Sequence, residues 1–355
     1  MGLSIGIVGL PNVGKSTLFS ALTKRQGFSA NYPFTTIEPN SGIVDVADER
    51  LVELTKLEHP KKTIPATVEF VDIAGLVEGA NKGEGLGNQF LANIREADAI
   101  CEVVRFFSDE DVIHVAGEVN PSSDVEVINT EFLLADIATL ERQIPKLQKE
   151  AKGNNKEAST KLQLAERIKD ALNNGIAARD VQMSEEERTL ARDFFLLSAK
   201  PIIYVANVDE DALNSADIEL AGQRAIKVCA AIEAELADLS DSEAKEYLES
   251  LGLAESGLER LIKTAYAVLG LQSFFTAGPD EVRAWTIPVG AKAPQAAGVI
   301  HTDFEKGFIK AEVASYRDYI AYSGEAGCRA AGKLRQEGKD YVVQDGDVMH
   351  FKFNV

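Results

Sequence analysis

The sequence predicts an α/β fold: a doubly wound sheet built around a phosphate-binding loop, with an inserted antiparallel helical hairpin and a C-terminal module of short strands. Three observations predict it. The apolar run Leu3-Ser4-Ile5-Gly6-Ile7-Val8 leads into Gly9-Leu10-Pro11-Asn12-Val13-Gly14-Lys15-Ser16-Thr17, which matches G-x-x-x-x-G-K-[ST] at the strand-to-helix turn where that loop must sit. From Leu133 to Leu147 apolar residues recur at heptad spacing, and after Gly153-Asn154-Asn155 a returning apolar stripe runs from Leu162 to Leu172. From Leu271 onward, short strand-like runs alternate with turn signals. The expected domains are residues 1–130 with 199–275, an arm over 131–198, and a module over 276–355.

The first element is a buried parallel strand, followed by a helix over Lys15–Lys24. The glycines of the intervening loop let successive N–H groups turn inward on a phosphate, and the helix N-terminus adds its partial positive charge. Lys15 would reach the β- and γ-phosphates, and the Ser16 hydroxyl would ligate Mg²⁺. Next, Ala66 to Asp72 alternates as a strand and ends in Asp72-Ile73-Ala74-Gly75, a D-x-x-G. Asp72 would hold Mg²⁺ through water, and Gly75 would offer its N–H to the γ-phosphate. Between them, a threonine of Asn31-Tyr32-Pro33-Phe34-Thr35-Thr36 either closes over the γ-phosphate or belongs to a turn set by the two prolines, Pro33 and Pro39.

Ras-like enzymes place a water-orienting Gln directly after this Gly; here the residue is Leu76. Either hydrolysis is slow, or another group does the job, and two candidates are visible. Asn12 would offer an amide oxygen to a monovalent cation, and His114, after the apolar strand Ala99 to Phe107, would position or deprotonate water. The alternative for His114 is a structural role in an acidic loop.

Ile202 to Ala206 is a further buried strand, ending in Asn207-Val208-Asp209-Glu210. Guanine-specific enzymes carry N-K-x-D there. Glu210 is one methylene longer than that Asp, and a misplaced bidentate contact to guanine costs about 1–3 kcal/mol. Asn207 would reach purine N7 and Val208 would pack on the ring. This chemistry favours ATP over GTP moderately.

Composition limits the function. The 355 residues allow two or three domains. Cys101, Cys229 and Cys328 lack disulfide or zinc spacing, which fits a reducing cytoplasm. The first strand begins at once, leaving no room for a signal peptide, and no apolar run approaches the roughly 20 residues of a membrane span. No membrane partner is expected. The net charge of −19 argues against general nucleic-acid affinity, and no DNA partner is expected, but a local basic face is compatible with it.

The arm pairs Leu133, Ile137, Leu140, Ile144 and Leu147 with Leu162, Ala165, Ile168 and Leu172, and Pro145 should kink its first helix. Lys146, Lys149, Lys152, Lys156 and Lys161 cluster at its tip, either as a solvated face or as an RNA contact. In the last module, strands are expected over Ala284–Pro288 and Tyr341–Phe353, with a helix over Asp303–Tyr322 between them. Lys306, Lys310, Arg317, Lys333, Arg335 and Lys339 are further candidates for RNA, whereas His301 and Asp303 read as structural.

Together GLPNVGKST, NYPFTTIEPNSG, VEFVDIAGLVEGANKGEGLGNQFL, the N-x-x-E base loop, FFTAGPDEVRAWTI, GVIHTDFEKGFIKAEV and VVQDGDVMHFKFNV resemble the YchF branch of the Obg-like ATPases, nearly end to end. The resemblance implies a Ras-like, Obg-type P-loop NTPase domain, a C-terminal β-grasp TGS domain, and a cytoplasmic ATPase with Mg²⁺ dependence and K⁺ stimulation that associates with ribosomes or their RNA. It implies Asn12, Val13, Gly14, Lys15, Ser16 and Thr17 as triphosphate contacts and Ser16 and Thr36 as metal ligands. Asn207, Val208 and Glu210 are implied at the base loop, and Leu76 is the hydrophobic residue that replaces the catalytic Gln. Cys229-Ala230-Ala231 departs from the S-A-K-like loop expected there. A translation GTPase and a nucleotide-gated RNA-binding module with negligible hydrolysis remain the competing functions.

Overall fold

The computed structural model describes residues 3–24, 40–73, 88–109, 119–153 and 155–354. The chain opens with β1 (Ser4–Val8), α1 (Lys15–Lys24), β2 (Ser41–Val46), α2 (Glu49–Glu58), β3 (Lys62–Ile64), β4 (Ala66–Asp72), α3 (Asn88–Glu96) and β5 (Ala99–Arg105). It continues through α4 (Pro121–Ala151), α5 (Lys156–Asn173), α6 (Glu185–Arg192), β6 (Ile202–Asn207), β7 (Glu219–Leu220), β8 (Gln223–Arg224), β9 (Ile226–Val228), α7 (Ala230–Leu236), α8 (Asp241–Ser250) and α9 (Gly257–Val268). The last elements are β10 (Leu271–Ala277), β11 (Glu281–Pro288), α10 (Ala293–Ile300), α11 (Thr302–Lys306), β12 (Phe308–Ser315), α12 (Tyr316–Ala321), α13 (Glu325–Ala330), β13 (Arg335–Glu337) and β14 (Asp347–Phe353).

These elements form two compact units. One holds the described residues of Met1–Lys24, Glu38–Gly42 and Phe70–Leu258, and the other those of Ile43–Glu69 and Glu259–Val355. The division differs from the expected one. Residues 43–69, expected within 1–130, group with the C-terminal residues because β3 pairs in parallel with β11 and α2 packs on β10 and β11. The hairpin begins at Pro121, not 131, because its first helix runs back to the Asn120 cap.

The first sheet has the order β2-β4-β1-β5-β6-β9, with β1, β5, β6 and β9 mutually parallel. Strands β5 and β6 are buried at every position, as befits central parallel strands covered on both faces. Phe90 and Ile94 of α3, Ile128 and Phe132 of α4, and Ile232 and Leu236 of α7 supply part of that cover. The loop at the carboxyl end of β1 therefore lies where such sheets bind ligands.

The hairpin forms largely as its spacing predicts. Leu140, Ala165, Ile168 and Leu172 are buried, and Leu133, Ile137, Ile144 and Leu147 pack against them. Leu164, not Leu162, supplies the buried position, because it lies one turn before Ile168 on the seam. Phe194 and Leu196 join this core. Helix α4 runs through Pro145.

In the second unit the sheet order is β13-β12-β14-β10-β11-β3. The helix expected over Asp303–Tyr322 is replaced by α11, β12 and α12. Gly307 ends α11, and β12 pairs antiparallel with β14. Mixed charge in FIKAEVAS read as a helix surface; it marks a strand whose Ala311 and Val313 face a core. The strand expected over Tyr341–Phe353 forms only over Asp347–Phe353, because the chain turns at Gly346, whose φ is +88.

Candidate functional site

The phosphate-binding loop is shaped by close approaches. At Gly9 a Cβ would meet the Val103 carbonyl at 2.6 Å, and at Gly14 (φ +90) it would meet Asn207 Nδ2 at 2.2 Å. Asn12 also sits at positive φ, 63°, a conformation Asn tolerates better than most residues. Val13 is buried, whereas Asn12, Ser16 and Thr17 present their side chains to solvent.

Lys15 is 8 % exposed, and its Nζ lies 2.5 Å from Asp72 Oδ1. The two motif residues, far apart in sequence, therefore meet as an ion pair. The Asp72 carboxylate is 21 % exposed, and the Ser16 hydroxyl follows Lys15 directly. A hydroxyl and a carboxylate beside the loop lysine are hard oxygen donors, the set that suits Mg²⁺.

The base loop is wired to the phosphate loop. Asn207 Nδ2 donates to the Val13 carbonyl at 2.9 Å, and Asn207 Oδ1 accepts from Ala230 N–H at 3.0 Å. Its carboxamide thus braces three segments, a role that stands beside the expected reach to purine N7, since an amide NH2 carries two donors. Val208 differs from expectation: at 2 % exposure it belongs to the core that holds Leu213 and Cys229, and it is not laid open for a base. Val is apolar at the end of a buried strand, so the core claims it. Glu210 is exposed, and Asp209 Oδ2 accepts from Ser108 N–H at 3.1 Å, joining the base loop to the chain after β5. Thr36, Gly75, Leu76 and His114 lie outside the described residues.

A family model described as 50S ribosome-binding GTPase matches residues 4–131. A second, the C-terminal model of the YchF GTPases, described as a protein of unknown function, matches residues 271–354. Ribosome-binding ATPase YchF of Pasteurella multocida (strain Pm70) is 55 % identical over 363 residues, covering 100 % of both chains. The chain belongs to the YchF family. The Bacillus subtilis (strain 168) ribosome-binding ATPase YchF is 54 % identical over 366 residues, again covering 100 % of both. The solved structure of the Schizosaccharomyces pombe YchF GTPase superposes with a TM-score of 0.91 at 40 % identity, covering 99 % of this chain and 98 % of that one.

In this YchF-family chain, two residues near the site escaped the sequence reading. Arg105 ends β5 at 2 % exposure; its Nε donates to the Phe107 carbonyl (3.2 Å), its Nη2 donates to the Asp109 carbonyl (3.1 Å), and its guanidinium lies 4.3 Å from the Phe107 ring centroid. It shapes the start of the loop in which His114 was expected. An arginine within a largely apolar run was the available signal. Glu102, in register with Val8 on one side and Tyr204 on the other, is fully buried, and neither carboxylate oxygen has a hydrogen bond among the described residues. Burial pushes its pKa up from 4.5 to about 8, with Arg179 opposing and Asp124 reinforcing the shift.

Proposed function

We propose that this chain is a slow ATPase switch that docks on the ribosome through its hairpin and C-terminal unit. The observation that carries the nucleotide reading is the convergence of Lys15, Asp72 and Asn207 on one loop. Lys15 and the loop N–H groups of Val13 to Thr17 would bind the triphosphate and stabilise charge on the transferred phosphoryl group as water attacks in line. Ser16 and Thr36, with Asp72 through water, would hold Mg²⁺, which supplies neutralisation of charge on the bridging β–γ oxygen. Asn12 would ligate an activating K⁺, His114 would position water, and residues 31–40 and 75–88 would change order with nucleotide state. Buried Cys101, Cys229 and Cys328 suit a reducing cytoplasm, and among the described residues no helix is long and apolar enough to cross a membrane.

Preference for ATP rests on Glu210 standing where guanine-specific loops carry Asp. Titration calorimetry with ATP and GTP, each with Mg²⁺ and K⁺, tests it; tenfold tighter GTP binding sinks the ATP reading. A GTPase is the second reading, favoured by the description of the model matching residues 4–131. Turnover measured with and without ribosomes and K⁺ separates a switch enzyme from a binding module. Full turnover by a His114→Ala variant that binds ATP removes His114 from the mechanism.

A further inference from the structure

Phe195 stands out among the hairpin residues. It is 70 % exposed, and its φ is +53, a left-handed conformation that a bulky aromatic residue rarely adopts. Its neighbours fix it there. Phe194 and Leu196 are buried on either side, and Asp193 is tied to Lys161 at 2.8 Å. The buried Asp136 carboxylate of α4 then accepts from the N–H groups of Leu197 and Ser198, both at 2.8 Å. The backbone is clamped before and after, and the phenyl ring is held out in solvent. Such a conformation persists only where its surroundings over-determine it, and such residues cluster at binding sites.

The charge beside it is sorted. Gln143 Nε2 donates to the Phe194 carbonyl at 3.4 Å, which puts Phe195 next to the turn of α4 that carries Arg142 and Lys146. Arg142, Lys146, Lys149 and Lys152 follow one another at helical spacing on the face of α4 away from the apolar seam, and all four are exposed. The lysines of that row make no ion pair among the described residues, unlike Lys161. Residues 142–161 hold six basic side chains against two acidic ones, in a chain of net charge −19. A planar aromatic face beside a row of cations is the pairing that binds single-stranded nucleic acid: the ring stacks on a base and the row follows the phosphates.

We propose that Phe195 is the stacking anchor of this face and takes one unpaired RNA base, with Arg142, Lys146, Lys149 and Lys152 holding the adjoining phosphates. The proposal rests on the reading that the hairpin docks on RNA, and the test keeps the two apart. Fluorescence anisotropy of the full-length protein is measured against a labelled oligoadenylate of about 12 nucleotides and a duplex RNA of equal length. Phe195→Ala should weaken single-strand binding about tenfold, leave duplex binding unchanged and keep the same salt slope, because no charge is lost. Phe195→Trp should bind the single strand at least as tightly as the native chain. Phe195→Gly should lose stacking as well, with an undiminished melting temperature, because glycine relieves the left-handed backbone. A melting temperature that falls by several degrees instead makes the ring structural and overturns the proposal. Native-like single-strand binding by Phe195→Ala, with loss of binding in a Lys146→Glu/Lys149→Glu/Lys152→Glu variant, overturns the anchor and leaves the hairpin reading standing. Native-like binding by that triple variant, or no RNA binding by the native protein, overturns both.

Discussion

Gly14 is constrained twice, by a φ of +90 and by Asn207 Nδ2 at 2.2 Å from where a Cβ would stand. Gly175 has φ +79 but, among the described residues, nothing within 4 Å of an added Cβ, so it isolates the backbone part of the cost. Gly175→Ala should destabilise by about 1 kcal/mol, and Gly14→Ala by about 2–4 kcal/mol, because the bond from Asn207 to Val13 must also give way. Chemical denaturation of both variants measures the difference, and equal losses would remove the Asn207 clamp from the account. ATP affinity should fall only in Gly14→Ala. The motif itself was legible at residue scale because its spacing is local. The brace by Asn207 was not legible, since the same carboxamide chemistry serves a base or a backbone and only the fold brings the backbone groups to it.

Glu102 carries a pH dependence whose sign follows from burial. Its folded pKa of about 8 lies above its unfolded value near 4.5, so across that window the folded state keeps a proton that the unfolded state has released. Stability contributed by this group is full below pH 4.5 and falls as pH rises toward 8, by about 1.4 kcal/mol per pH unit in the ideal case. Arg179 and Asp124 face the carboxyl with opposite effects, and Arg179 moderates the loss. Glu102→Gln should therefore be more stable than the native chain at pH 8 and no more stable at pH 4.5. Denaturation midpoints at several pH values test this, and a gap between the two proteins that does not widen with pH contradicts it.

At the scale of elements, periodicity told helix from strand where one pattern ran long, and failed where elements were short. The seam from Leu133 to Leu172 spans several heptads, so α4 and α5 were legible. The stretch from Asp303 to Tyr322 holds three short elements, and no single period governs it. Nor did the pattern reveal how the hairpin is anchored. Asp136 is fully buried, and it accepts from Leu197 N–H, Ser198 N–H and the Ser198 hydroxyl, the last at 2.6 Å. A lone acid inside a helical stripe reads as a solvated residue, yet here it holds the returning chain against α4. Asp136→Ala leaves two buried N–H groups without their acceptor, and it should cost about 2–4 kcal/mol. Hydrogen exchange at Leu197 and Ser198 should accelerate while exchange in β10–β14 stays native. A loss under 0.5 kcal/mol, roughly the scatter of surface substitutions, would count against the anchor.

At the scale of the whole molecule, the chain does not divide where its sequence composition changes. Residues 43–69 lie within the stretch matched by the 50S ribosome-binding GTPase model, yet their contacts belong to the C-terminal unit. Arg50 bonds Asp345 at 2.8 Å and lies 5.2 Å from the Phe275 ring centroid; Tyr319 donates to Glu58 at 2.8 Å, and Tyr316 donates to Glu53. Leu51 and Leu54 are buried, and β3 closes the edge of β11. Burying two leucines contributes on the order of 3–6 kcal/mol, a large share of the 5–15 kcal/mol that stabilises a typical domain. This excursion was not legible in the residue pattern, because an amphipathic helix states that it has a buried face and not which sheet covers it. A fragment of residues 259–354 should therefore lack a cooperative thermal transition, since it exposes Phe275 and the β11 edge. Fusing residues 43–69 to it should restore one, and Leu54→Ala within the fusion should lower the midpoint again. Circular dichroism melts decide the matter: a fragment that melts cooperatively at the same temperature as the fusion would show that α2 and β3 are passengers on a sheet stable without them.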